Sequence, residues 1–158
     1  MKNQITSSKV FINGDGPAKM FPGYKIYQHI PCGVISCDSA NFQLFFTEIQ
    51  KQHETTFPGT KHLEYLSKAE RLLNANILDW FLKYPWNIPE ILFGNWPYCG
   101  NCPYYTFFPR TVYQDEEKGD LYIRYFRVNA HKQPESHFLQ IDNEFGFPAY
   151  YPSLQVVA

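Results

Sequence analysis

Two aromatic-rich runs, "YYTFFPRTVYQ" (104–114) and "LYIRYFRV" (121–128), stand on either side of the polar stretch "DEEKGD" (115–120). Aromatic and β-branched side chains suit a pleated, half-buried surface and crowd the preceding turn of a helix. A short polar segment with a glycine free to take positive φ closes such runs into a hairpin. The spacing therefore predicts a β-hairpin over 104–128, with Gly119 at the left-handed position. Along the second strand a period of two separates Leu121, Ile123 and Tyr125 from Tyr122, Arg124 and Phe126. Leu and Ile are the better core pair, so the odd set is expected to face the helices. The even set is expected on the opposite face, partly open to solvent or covered by the arm 1–23.

Around this hairpin the chain reads as α+β. Val10-Phe11-Ile12 predicts a short strand, ended by the turn-rich Asn13-Gly14-Asp15-Gly16-Pro17. Tyr24, Ile26, Gln28 and Ile30 alternate with Lys25, Tyr27 and His29, a strand closed by Pro31 that Val34–Cys37 continues or pairs with. Phe42, Phe45, Phe46 and Ile49 recur at i, i+3, i+4 and i+7, the spacing of a helix capped by Asp38 or Ser39. A longer helical pattern opens near Thr60, with Leu63, Leu66, Leu73, Ile77, Trp80 and Phe81 near one face. Asn74 and Asn76 can divide it and Pro85 stops it. One further turn is expected over Glu90–Phe93, with Gly94 past its end. "HFLQID" and "YYPSLQVV" supply further strands, the latter an edge or a bulge because of Pro152. The expected architecture is an antiparallel sheet of about four to six strands with two or three helices from the middle of the chain on one face. Residues 1–23 form an irregular amino-terminal arm, and 24–158 one α+β domain.

Fourteen Phe, twelve Tyr and three Trp make up 18% of the chain, so the core can be built from rings with few aliphatics. The formal net charge of −1 offers no electrostatic footprint for nucleic acid or for an anionic membrane. The absence of a long apolar run or a leader pattern leads to the expectation of a cytoplasmic protein with reduced thiols.

The loop "WPYCGNCPYY" (96–105) raises the question of chemistry. A zinc site would need Cys32 and Cys37 to converge with Cys99 and Cys102. Cys37 and Cys99 lie 62 positions apart, well beyond the separation of about 15–20 in zinc ribbons. On one strand the odd offset of Cys32 and Cys37 sends them to opposite faces unless Gly33 makes a turn. Trp96 ahead of Cys-x-x-Cys resembles thioredoxins over these few residues. However, Pro103 and β-rich sequence follow where that chemistry needs a helix amino terminus. Free thiols and no cofactor are the expectation.

The stretch Lys118–Tyr125 resembles the core strand signature of RNA-recognition motifs, and Val10–Gly14 faintly resembles their other signature strand. Asp120 replaces the first stacking aromatic and Leu121 a small residue. Among the histidines, His137 with Asp142 is the one base–orienter candidate, at an odd offset that opposes them on a strand, and each histidine is expected in a solvated loop.

What remains is a non-catalytic interaction domain that holds a protein or small ligand on an aromatic surface. The residue types that dominate binding hot spots single out Tyr122, Arg124, Phe126, Trp96 and Tyr98. The alternative is a hydrolase-like enzyme whose His/carboxylate site is assembled across the fold. A structural zinc domain or a single-stranded RNA binder comes after these.

Overall fold

The hairpin expected from the two aromatic runs is the spine of the molecule. The computed structural model describes residues 9–52, 56–94, 105–142, 147–148 and 151–157. Its elements in chain order are β1 (Phe11–Asn13), β2 (Tyr24–His29), β3 (Val34–Ser36), β4 (Phe42–Phe45), α1 (Glu48–Gln52), β5 (Thr56–Phe57), α2 (Gly59–Ser67), α3 (Ala75–Lys83), β6 (Thr106–Asp115), β7 (Leu121–Val128), β8 (Pro134–Gln140), β9 (Phe147–Pro148) and β10 (Ser153–Val156). Single 3-10 turns cover Ser39–Asn41, Pro85–Asn87 and Glu90–Phe93. β6 and β7 pair antiparallel. In the turn between them Asp115 accepts the amides of Glu117 and Lys118, and Gly119 takes φ +80°. β8 extends the sheet beyond β7. On its other side β6 takes β2 antiparallel along 111–115 and β10 parallel at Phe107, and β10 takes β4. β1 with β3 and β5 with β9 form two small ribbons. The mostly antiparallel α+β class is the one the sequence predicts.

Pro109 shapes β6. It has no N–H for a ladder, and the pairing with β7 shifts across it: Phe107 faces Tyr125, whereas Val112 faces Ile123. Five positions along β6 therefore match two along β7. An odd offset normally sets two strand residues on opposite faces. Here the bulge restores them to one face, and Phe107 and Val112 pack together with Ile123, Ile141 and Ile49. Phe108 turns to the other face and joins Phe126, Phe81, Leu78, Ile77 and Leu154.

Apolar clusters thus cover both faces of the hairpin. α3 supplies the first, burying Ala75, Ile77, Leu78 and Phe81 completely. Ile49 of α1 and Leu63 of α2 join the second. A fully buried side chain of this size contributes about 1.5–3 kcal/mol, and the two clusters hold the sheet from both sides.

The break expected at Asn74 and Asn76 is real, and it is a cap. The Asn74 side chain accepts from the Asn76 amide and donates to the carbonyls of Gly14 and Ile30. Asn76 donates to the Gly16 carbonyl. The amino-terminal turn is therefore sewn to the start of α3. His29 completes the seam. Its Nε2 meets the Gly16 carbonyl at 3.0 Å, which can only accept, so Nε2 carries the proton. Nδ1 then accepts the Thr111 hydroxyl at 2.8 Å, and that same oxygen accepts the Ala75 amide.

Two local expectations are corrected. The stripe Phe42, Phe45, Phe46, Ile49 is not one helix, because Phe42–Phe45 is strand β4, paired with β10, and α1 begins only at Glu48. Strand pairing with β10 outweighs a four-residue helical periodicity carried by aromatic residues. Val34–Ser36 pairs with β1 rather than with β2, and Gly33, at φ +78°, makes the turn that redirects it.

Replacing Gly119 by Val should cost about 1–2 kcal/mol through backbone strain alone, since an added Cβ meets only Gln114 Nε2 at 3.8 Å. Gly59→Ala should cost more, because its Cβ would stand 1.7 Å from the Ile141 carbonyl oxygen. Urea unfolding midpoints measure both, and a milder effect at Gly59 than at Gly119 would contradict that close approach.

Candidate functional site

Arg124 projects from β7 toward α3 and lies 3% exposed. Its guanidinium forms an ion pair with Asp79 at 2.7 Å and donates to the Ser136 hydroxyl at 2.7 Å. Phe21, from the amino-terminal arm, lays its ring 4.8 Å from the guanidinium carbon. That ring meets Tyr113 and Phe138 edge-on, and Phe138 stacks on Tyr24 at 4.4 Å. Burial pushes the Tyr113 hydroxyl above its ordinary pKa, with the charge of Arg124 pulling the other way. Tyr122 stands half-buried, edge-on to Tyr24. Phe126 is fully buried in the α3 cluster.

Of the even set, Tyr122 is half-open, as expected, whereas Arg124 and Phe126 are buried, so an open surface made by all three is corrected. The arm does cover Arg124, as one alternative had it, but α3 takes Phe126 and pairs the cation. Ile123 on the odd face is buried as well, so alternation along β7 separates two buried faces, not an inner from an outer one. Trp96, Tyr98, Cys99 and Cys102 lie outside the described residues. Cys32 and Cys37 both pack against the α3 cluster, and burial raises both thiol pKa values. Among the described residues no three His, Cys, Asp or Glu groups converge as a metal site.

Half-open rings are found instead at one end of the odd face. Tyr105, just before β6, stacks on Tyr125 with centroids 4.9 Å apart and on Tyr151 at 4.5 Å. Tyr125 stacks on His137, its cross-strand partner on β8, at 5.7 Å. Beside the stack the Arg127 guanidinium lies 5.9 Å from the Tyr105 ring and donates to Glu135. His137 Nε2 stands 3.1 Å from the same carboxylate. Hydrogen bonds from His137 and Arg127 hold the Glu135 carboxyl below its ordinary pKa. The three tyrosines are half-buried and His137 is exposed. The stack rests on the register of three strands and on the chain returning at Tyr151. Only the Tyr125–Arg127 alternation could have signalled it in the sequence.

The histidines also depart from expectation. Only His131 sits in an exposed turn, His53 lying outside the described residues. His29 belongs to the seam at α3. His137 pairs with Glu135, two residues away on its own strand, while Asp142 accepts the Leu121 amide. His62 is fully buried on α2, with Nδ1 3.5 Å from the Thr47 hydroxyl, and burial lowers its pKa to about 3. The RNA-motif resemblance divides: Val10–Gly14 enters the β1–β3 ribbon and Lys118–Tyr125 the main sheet, so the two segments are not strand neighbours.

Two expectations follow. Asp79→Ala should cost about 2–3 kcal/mol, discounted for the partial exposure of Asp79, because it strands a buried guanidinium. Arg124→Met should cost less, since it leaves only a half-exposed carboxylate. Chemical denaturation of both variants gives the order. The unfolded chain protonates His62 near 6.5 and the folded chain only near 3. Between those values the unfolded state binds more protons, so stability falls as pH falls, by up to about 1.4 kcal/mol per pH unit. His62→Met should flatten the pH dependence of the unfolding midpoint in that window, and an unaltered slope would assign it to other groups.

Comparison with protein-family models, with curated proteins and with solved structures finds no match for this chain.

Proposed function

We propose that the chain is a non-catalytic binding domain that holds a protein or small ligand on the aromatic end of its sheet, around Tyr105, Tyr125, Tyr151 and His137. The supporting observation is the ring stack itself, half-open and bordered by a guanidinium and a carboxylate. Rings held by their neighbours lose little freedom on binding, and they offer flat apolar area with edges for hydrogen bonds. Arg127, Glu135 and the outer edge of His137 supply directional polar groups at the rim.

The hydrolase-like alternative draws on one observation, the His137–Glu135 pair. Against it, Glu135 is shared with Arg127 and stays ionised, which makes it a weak proton acceptor at neutral pH.

A fragment screen of planar heteroaromatics and short Tyr- or Trp-containing peptides, read by NMR, tests the reading. Binders should perturb the ring signals of Tyr125 and His137, and the double change Arg127→Gln with His137→Ala should abolish them while the fold persists. Binders that survive this double change would move the site elsewhere. Turnover of ester or amide fragments by the native chain would favour the enzyme.

A further inference from the structure

Arg71 and Arg110 meet no carboxylate: among the described residues every ion pair within 4.0 Å engages other groups. Both line a cleft of about 290 Å³ between β3, the 70–73 segment that follows α2, and the end of β10. Its floor is apolar, from the buried Ile35 and Leu72, and its rim carries Val34, 65% exposed, and Val157. Glu70 is the one acidic lining residue against the two arginines.

The Arg110 guanidinium is held from one side. Its Nη1 donates to the Glu70 carbonyl at 2.6 Å and approaches that of Leu72 at 3.5 Å. Nε is buried without an acceptor, and no described residue accepts from Nη2. With Nε shut off by its surroundings, Nη2 is the Arg110 donor left to meet a carboxylate, through one charge-assisted hydrogen bond. A planar cation whose orientation is already fixed, and whose Nη2 has no acceptor among the described residues, loses little entropy on taking an anion. On the side away from β1, β3 has no strand neighbour among the described residues.

We propose that this cleft binds a small organic acid, its carboxylate held by Arg110 and Arg71 and its short apolar tail laid on Ile35, Leu72 and Val34. The site is separate from the aromatic end of the sheet and does not rest on that reading. The cleft volume of about 290 Å³ lies just below the range of about 300–1,000 Å³ for ligand pockets, which suits a compact molecule. Neither half suffices: the two arginines alone would take any anion, and the apolar floor alone any alkyl chain.

Titration of the full chain with hexanoate, acetate and hexan-1-ol, followed by amide NMR, separates these contributions. Hexanoate should give saturable shifts in residues 34–36 and 70–73, with acetate and hexanol each at least about tenfold weaker. Arg110 also anchors backbone carbonyls, so the variants to use are Arg71→Gln and Val34→Glu, whose side chains are exposed. Each should leave the unfolding midpoint unchanged and weaken hexanoate about tenfold or more. Three results would overturn the proposal: no saturable shift with millimolar hexanoate, equal binding of hexanol, or affinity unaltered in both variants. A fourth is tighter binding of a valine-ended peptide than of hexanoate, which would make the cleft a reader of chain termini.

Discussion

The bulge at Pro109 is the constraint on which the rest of this molecule depends. A regular strand through 107–112 would alternate its side chains and keep a single register with β7. The extra residues absorbed there place Phe107 and Val112 on one face, Phe108 on the other, and swing two polar side chains to different tasks. Arg110 reaches out to the carbonyls of the 70–73 segment. Thr111 turns in, and its hydroxyl joins β2 through His29 to α3 through the Ala75 amide. Arg110 lies within the stretch where the pairing with β7 is interrupted, while Thr111 pairs with His29 on β2 and bonds it through its side chain as well.

The seam at Thr111 explains how a helix as apolar as α3 keeps its place. A helix packed by hydrophobic contact alone can slide, since burial has no preferred direction. Hydrogen bonds do. Asn74, fully buried, satisfies the first turn of α3 while holding the carbonyls of Gly14 and Ile30, so the helix start, the arm and β2 share one polar node. The ion pair of Asp79 with Arg124 fixes the same helix to β7. Its companions Phe21, Tyr113 and Phe138 exclude water around the cation, which strengthens the pair and makes the loss of Asp79, which would strand the cation, the costlier one.

The rings divide the labour. Those near Arg124 pack around the cation, those of the α3 cluster fill the core, and the Tyr105–Tyr125–Tyr151–His137 group forms a half-open stack. A chain with so many rings has more apolar area than an interior of this size consumes, and what is left over collects where strands end.

Local chemistry was enough to write the hairpin into the sequence: aromatic and β-branched runs, a polar turn, and a glycine where φ must be positive. The same holds for the helix break at Asn74, the turn at Glu90–Phe93 and the strand before Pro31. Each rests on residues a few positions apart. The strand Phe42–Phe45 was hidden because its partner, Ser153–Val156, lies over a hundred residues away, and a helical spacing of three rings and Ile49 was the stronger nearby signal. Whether Arg124 faced water depended on α3 and Phe21 arriving from elsewhere, which alternation along β7 does not encode. The ring stack needed a register across β6, β7 and β8, and the cleft needed β3, the 70–73 segment and Arg110 of β6 to meet. Propensity and period act over a turn or a pleat, whereas a site is made where distant segments meet.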